Sequence, residues 1–232
     1  MKPCIRLATI LYCGAAWASE PPPKTSPSAE MVLDWVRYGN ERHVQGKYVY
    51  WHQSLDRRRE VARQERPHAV VLTCSDSRVP PELLFDQGIG DLYVVRVAGN
   101  VAGEKELGSI EYAVEQLGAP LVVVLGHQRC HAVETAVRGG ELSGHIGSIV
   151  ASLSPAVAQA RRMGGGDVAD QAIRINVQTV AEQLRSSEPV LSRLVRAGML
   201  KIAGGYYSLD SGEVSWLPNE GGAVGAHSAP SH

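Results

Sequence analysis

Two short stretches of the chain combine residue types that can hold a metal ion and act beside it. The first, Cys74-Ser75-Asp76-Ser77-Arg78, carries a thiol, a carboxylate and a guanidinium at alternate positions. The second, His127-Gln128-Arg129-Cys130, carries an imidazole and a further thiol. Two thiolates and one imidazole form a Cys2His donor set that suits zinc. Such a set leaves a fourth position for water, the pattern of catalytic zinc. If the chain stays extended past the first thiol, the two-residue period of a strand puts Cys74, Asp76 and Arg78 on one face. Asp76 then lies next to the metal, clamped by Arg78 through a two-pronged charge-assisted bond. Cys130 is expected in the first turn of a following helix, whose positive end favours the thiolate.

Both motifs follow continuous apolar runs, 69–73 and 121–125, and a third such run covers 92–97. Runs of this kind suit parallel strands covered on both faces. Leu107, Ile110, Ala113, Val114 and Leu117 mark one face of a helix over 104–117, and strand-helix-strand at this spacing implies a parallel sheet. Ligands of open parallel sheets bind outside the carboxyl ends of the strands, where both motifs fall. Helices are also expected over 55–66, 146–163 and 168–184, and from about Met31, with Ser28 as a cap. A terminal hairpin over 201–209 and 213–217 turns at Asp210-Ser211-Gly212. The expected class is α/β: a central, mostly parallel β-sheet flanked by helices, with N-terminal helical arms and a C-terminal hairpin.

The chain of 232 residues suits one domain, over 31–217. Lys2 and Arg6, an apolar stretch and Ala16-Trp17-Ala18 read as a signal peptide over 1–18, cut after Ala18. That stretch is too short to span a membrane, so a periplasmic or secreted protein without a mature membrane span is expected. A Pro-rich linker over 19–30 and a disordered tail over 218–232 complete the organisation. With a formal net charge of -1 and no basic run, nucleic-acid binding is not expected. Cleavage would leave Cys74 and Cys130 as the two remaining cysteines, and in an oxidising compartment a plain disulfide is the rival to a metal site. Asp76 with Arg78 could likewise be a structural ion pair, and His43, His52, His68 and His145 read as surface or satisfied core residues.

The stretches Cys74 to Pro80 and Gly126 to Cys130 closely resemble the two signatures of beta-carbonic anhydrases. Further matches are Phe85-Asp86-Gln87-Gly88-Ile89-Gly90-Asp91, Val95-Arg96-Val97-Ala98-Gly99-Asn100, and Gly39-Asn40 with Gly46. The resemblance implies one Zn2+ per subunit on Cys74, His127 and Cys130, and reversible hydration of carbon dioxide to bicarbonate by zinc-bound hydroxide. It implies Asp76 and Arg78 as the gating pair, with Asp76 as a fourth ligand if the site closes. It also implies homodimers or higher assemblies, with the cleft at the subunit boundary and the N-terminal helices embracing the partner. Tyr112 matches a cleft-lining aromatic, and Tyr93 falls where Phe is common.

Three positions depart from the family pattern. Glu65 stands where plant-like enzymes carry a substrate-facing Gln, with Gln64 one step earlier. An ionised Glu cannot donate a hydrogen bond to substrate, so either Gln64 substitutes or the contact is lost. His131 follows the last cysteine in place of Gly, and Val71 occupies the place of a Trp found with a regulatory bicarbonate pocket, so that regulation is not expected. The same centre could instead hydrolyse a carbon dioxide analogue such as carbonyl sulfide. A zinc-holding structural protein is a third reading, although such sites normally use four protein ligands.

Overall fold

Three of the five strands carry the apolar runs, and their burial follows from their place in one sheet. The computed structural model describes residues 27–218. The strands are β1 (Ala69–Thr73), β2 (Leu92–Arg96), β3 (Leu121–His127), β4 (Lys201–Tyr207) and β5 (Val214–Trp216), arranged in the order β2-β1-β3-β4-β5. The first four are parallel, and β5 pairs antiparallel with β4 as the expected hairpin. β1 and β3 are buried along their whole length, as their unbroken apolar sequences require, while β2 lies at the sheet edge and is only partly covered.

Alternate side chains feed opposite faces of the sheet. Val70, Leu72, Val122 and Val124 meet Ile110 and Val114 of α4 (Glu104–Glu115), Val177 and Leu184 of α7 (Val168–Ser186), and Leu191 of α8 (Leu191–Arg196). On the other face Val71, Leu121, Val123 and Leu125 meet Val32, Leu33 and Val36 of α1 (Ala29–Gln45) and Phe85, which follows α3 (Pro81–Leu84). A third apolar cluster joins Cys74 and Cys130 to α5 (His131–Arg138), α6 (Ile146–Met163) and α7.

The two N-terminal helices are present as expected but differ in their bounds. The Ser28 hydroxyl caps α1 by accepting from Met31 N at 3.2 Å, so the helix begins at Ala29, inside the expected linker. α1 is bolted to its own chain. Asn40 Nδ2 donates to Leu84 O at 3.2 Å and to Gly212 O at 2.9 Å, and its Oδ1 accepts from Val214 N at 2.8 Å. Gly39 permits this approach, because a Cβ there would stand 1.8 Å from Phe85 O. The second helix, α2 (Leu55–Val61), ends well before the expected residue 66 and buries none of its residues. It has no apolar face to dock, and residues 62–66 run on exposed and non-helical. The expected leader, most of the linker and the tail beyond Pro218 lie outside the described residues.

The strand order explains where a site can form. β1 leads through α3 to β2 on one side of it, whereas β3 leads through α5 to α8 to β4 on the other. The connections leaving β1 and β3 therefore diverge, and a crevice opens between their carboxyl ends.

Candidate metal centre

The crevice holds both predicted motifs. Cys74 directly follows β1, and His127 is the last residue of β3, a strand two residues longer than the sequence pattern implies. Cys130 is the N-cap of α5 rather than a residue of its first turn. Cys74, Cys130 and a ring nitrogen of His127 lie within 4.8 Å of one another, all buried. The two sulfurs stand 3.9 Å apart as free thiols, so the disulfide alternative does not describe this structure.

The donor set fits zinc on two independent grounds. Two zinc–sulfur bonds of about 2.3 Å at a tetrahedral angle would separate their sulfurs by about 3.8 Å, close to the 3.9 Å observed. His127 supplies the second. Its Nδ1 lies 3.0 Å from Gln128 O, a carbonyl that can only accept, so the ring proton belongs on Nδ1. Nε2 is then left with a free lone pair, and it is buried with no hydrogen-bond partner among the described residues. An orphaned buried acceptor beside two thiols is the condition a metal would relieve.

The electrostatics of the cluster point the same way. Cys74 is held well below the ordinary thiol range, first by the hydrogen bond from Cys130, with burial opposing and His127 and the Gly99 N–H assisting. Cys130 is pushed up by the same bond and by burial. These effects favour the thiolate form of Cys74, and a bound cation would favour it at both sulfurs. Gly99 N donates to Cys74 Sγ at 3.3 Å, and Asn176 Nδ2 holds Gly99 O at 2.9 Å.

Asp76 and Arg78 come together by a different route from the one the sequence suggested. β1 stops at Thr73, so no strand period operates. A turn does the work instead: Val79 N donates to Asp76 O at 3.1 Å, and Arg78 N donates to Asp76 Oδ1 at 2.9 Å. The Arg78 side chain then forks onto the carboxylate, Nε to Oδ1 at 2.9 Å and Nη2 to Oδ2 at 2.7 Å. That fork holds the Asp76 carboxyl well below the usual carboxylate range, against the opposing effect of burial. Asp76 Oδ2 lies 3.8 Å from His127 Nε2, beside the cluster but committed to Arg78.

The carbonic anhydrase family profile matches residues 69–214, which include every residue of this cluster. The chain belongs to the beta-carbonic anhydrase family. It is 41% identical over 192 residues to carbonic anhydrase 2 of Mycobacterium tuberculosis, covering 80% of this chain and 92% of that one. A carbonic anhydrase of Mycolicibacterium smegmatis is 41% identical over 195 residues, covering 81% and 94%. Among solved structures, a tetrameric beta-carbonic anhydrase of Sordaria macrospora superposes with a TM-score of 0.64 at 21% identity, over 68% of this chain and 84% of that one, a likeness of fold.

The residues expected to line the cleft of this carbonic anhydrase lie on elements other than those that carry Cys74, His127 and Cys130. Tyr93 of β2 pairs with Val70 of β1, about 13 Å short of the level of Cys74 at the usual strand rise. Gln64 and Glu65 are exposed on the segment between α2 and β1. Tyr112 is half-exposed on α4. Val71 is buried inside β1, and His131 opens α5 with its side chain exposed.

Three contributors to this centre were not singled out from sequence. Arg96 donates twice to Cys74 O, at 3.0 and 2.9 Å, and once to Asp76 O at 2.6 Å, so it clamps the first loop by its backbone. Asn176 was signalled by being a polar residue on the otherwise apolar buried face of α7. Asp210, which grips Gln128 and Arg129, had no signal beyond its place in a predicted turn.

Proposed function

We propose that this enzyme catalyses the reversible hydration of carbon dioxide to bicarbonate at one zinc ion per subunit, held by Cys74, His127 and Cys130. The observation that carries the reading is the orphaned Nε2 of His127, buried with two thiols beside a carboxylate locked by an arginine. Zinc, when bound, supplies the Lewis acidity that makes water a nucleophile near neutral pH.

The chain's own residues do the rest. Cys74 and Cys130 contribute negative charge, and the Gly99 N–H keeps Cys74 in place. Val101, Val133 and Leu153 pack with the two cysteines and keep the centre dry on its inner side, which strengthens every charge interaction there. Asp76 accepts a hydrogen bond from the reacting water and orients it toward carbon dioxide. With its pKa far below neutrality, Asp76 directs the water but does not store its proton, since an efficient general base titrates near the working pH. The proton therefore passes on to solvent buffer. Arg78 holds Asp76 back from Cys74, His127 and Cys130, so that its carboxylate would orient water rather than bind the metal itself.

The assembly we propose is a homodimer or a higher homo-oligomer. Trp35, Tyr38, Tyr50, Trp51 and Leu55 expose large apolar surface on and between α1 and α2, and such patches favour burial against a second copy. The family resemblance implies a substrate cleft at the boundary between two such copies. The Sordaria relative is described as tetrameric, which supports an assembly of this kind. The leader reading places the protein in the periplasm or outside the cell. Among the described residues no helix is long and apolar enough to cross a membrane.

Stopped-flow measurement of carbon dioxide hydration by zinc-loaded protein tests the reading. The expected result is turnover that scales with zinc content and vanishes in Cys74→Ser. Zinc-loaded protein without hydration activity would overturn it, and turnover of carbonyl sulfide alone would assign the centre to the analogue.

A further inference from the structure

His127 and Cys130 are joined by two residues, and the chain between them adopts a conformation it does not favour. Arg129 sits at φ +51°, in the left-handed region where a side chain crowds its own backbone. Such a residue persists when its surroundings hold it there.

The holding group lies in the turn between β4 and β5. Arg129 Nη1 donates to Asp210 Oδ2 at 2.9 Å and Nη2 donates to Oδ1 at 2.7 Å, a two-pronged fork. Gln128 Nε2 donates to the same carboxylate at 2.9 Å, and Gln128 Oε1 accepts from Asp210 N at 3.3 Å. Gln128 N also donates to Tyr207 O at 2.9 Å. Both residues between the two ligands are therefore gripped from the hairpin. The Arg129 fork and the bond from Gln128 bring the Asp210 carboxyl down to about 2, so the latch stays charged in ordinary buffers. The grip continues inward, because Arg129 O accepts from Arg78 Nη2 at 3.1 Å, and the same nitrogen holds Asp76.

We infer that Asp210 is a positioning residue for the metal centre, setting the spacing of His127 and Cys130 through Gln128 and the left-handed Arg129. It touches no ligand atom and acts through the two residues that it holds. The inference rests on the reading that Cys74, His127 and Cys130 bind zinc. The rival role is a simple staple of the hairpin to the end of β3, which would affect folding stability alone.

The test compares full-length wild type, Asp210→Ala, Asp210→Glu, Arg129→Ala and Arg129→Gly. Zinc affinity is read by competition with a chelator, the visible spectrum of the Co2+-substituted protein reports ligand geometry, and the zinc-free melting temperature serves as the control. Outer partners of metal sites typically shift affinity by about tenfold or more, so Asp210→Ala and Arg129→Ala should each weaken zinc by about tenfold and alter the cobalt band. Asp210→Glu should restore most of the affinity. Arg129→Gly should stay within about threefold of wild type, because glycine adopts the left-handed conformation unaided. Wild-type affinity and spectrum in Asp210→Ala, with or without a lower melting temperature, overturn the inference. So does Arg129→Gly as weak as Arg129→Ala. Failure of the wild type itself to take up zinc or cobalt would instead overturn the zinc reading beneath it.

Discussion

Removing the Arg78 side chain should slow the enzyme without emptying the metal site. In the structure Arg78 donates to both oxygens of Asp76, at 2.9 and 2.7 Å, and to Arg129 O at 3.1 Å. A hydrogen bond to a charged group contributes about 1.5–3 kcal/mol when well protected. The Arg78 side chain is 41% exposed, and solvent screening reduces the fork to about 1–2 kcal/mol. After Arg78→Ala the carboxylate still has the Arg78 backbone N–H on Oδ1 at 2.9 Å, so it pivots about that bond. Its other oxygen, 3.8 Å from His127 Nε2, is then free to swing into the ligand cluster and compete with water. If the lost orientation appears wholly in the barrier, kcat/KM falls by about 5- to 30-fold. Stopped-flow hydration at matched zinc content, with metal analysis alongside, is the assay. Arg78→Lys keeps the charge but not the fork and should fall between the two. An Arg78→Ala enzyme with one zinc per chain and the wild-type rate would refute the role given to the clamp. The sign of the pH effect follows from the lowered carboxyl pKa. The clamp stabilises the folded state above the unfolded carboxylate value of about 4, and that contribution is lost as pH falls through the lower folded value.

Gly39→Ala would place a methyl carbon 1.8 Å from Phe85 O, backbone that cannot turn aside. α1 must lift off the sheet, and a loss of about 3 kcal/mol in urea unfolding is expected; an unchanged midpoint would contradict the packing described. Burial lowers the pKa of His68, so the unfolded chain binds more protons near pH 6, and stability should fall as pH drops from about 7 to 5. His68→Gln should flatten that slope in unfolding curves taken across the range, and an identical slope would discount His68 as its source. Chelator-stripped protein should form a Cys74–Cys130 disulfide with oxidised glutathione, releasing two molecules of reduced glutathione, because the sulfurs already stand 3.9 Å apart. Thiol titration and intact mass should show zinc-loaded protein resisting this step; equal oxidation of both forms would mean that these thiols are not the metal ligands.

Much of the architecture was legible because buried parallel strands leave a strong mark. The bounds of β1 and α6 are those the apolar patterns imply, and β2 differs by one residue at its end. Where the expectation missed, the pattern was charged and ambiguous. The stretch 55–66 has helix-forming residues but no apolar face, so its helix stops at Val61 once no surface supports it. The Asp76–Arg78 clamp was expected from an extended chain and arises from a turn. The two residues end as neighbours either way, because a short polar side chain can bond the backbone two residues on.

The amino-acid sequence alone determined the donor chemistry. Cys74, His127 and Cys130 form a Cys2His donor set by residue type alone, a local property that survives any error in the fold, although the sequence left a disulfide open as the rival role of the two thiols. Tertiary structure decided the rest. It brought the sulfurs to 3.9 Å, left Nε2 of His127 without a partner, turned Arg96 onto the Cys74 carbonyl, and set Asp210 on the two residues that join His127 to Cys130. These depend on strand order and loop divergence, which arise from packing across the whole sheet. A short motif cannot encode a contact with residues some eighty positions away.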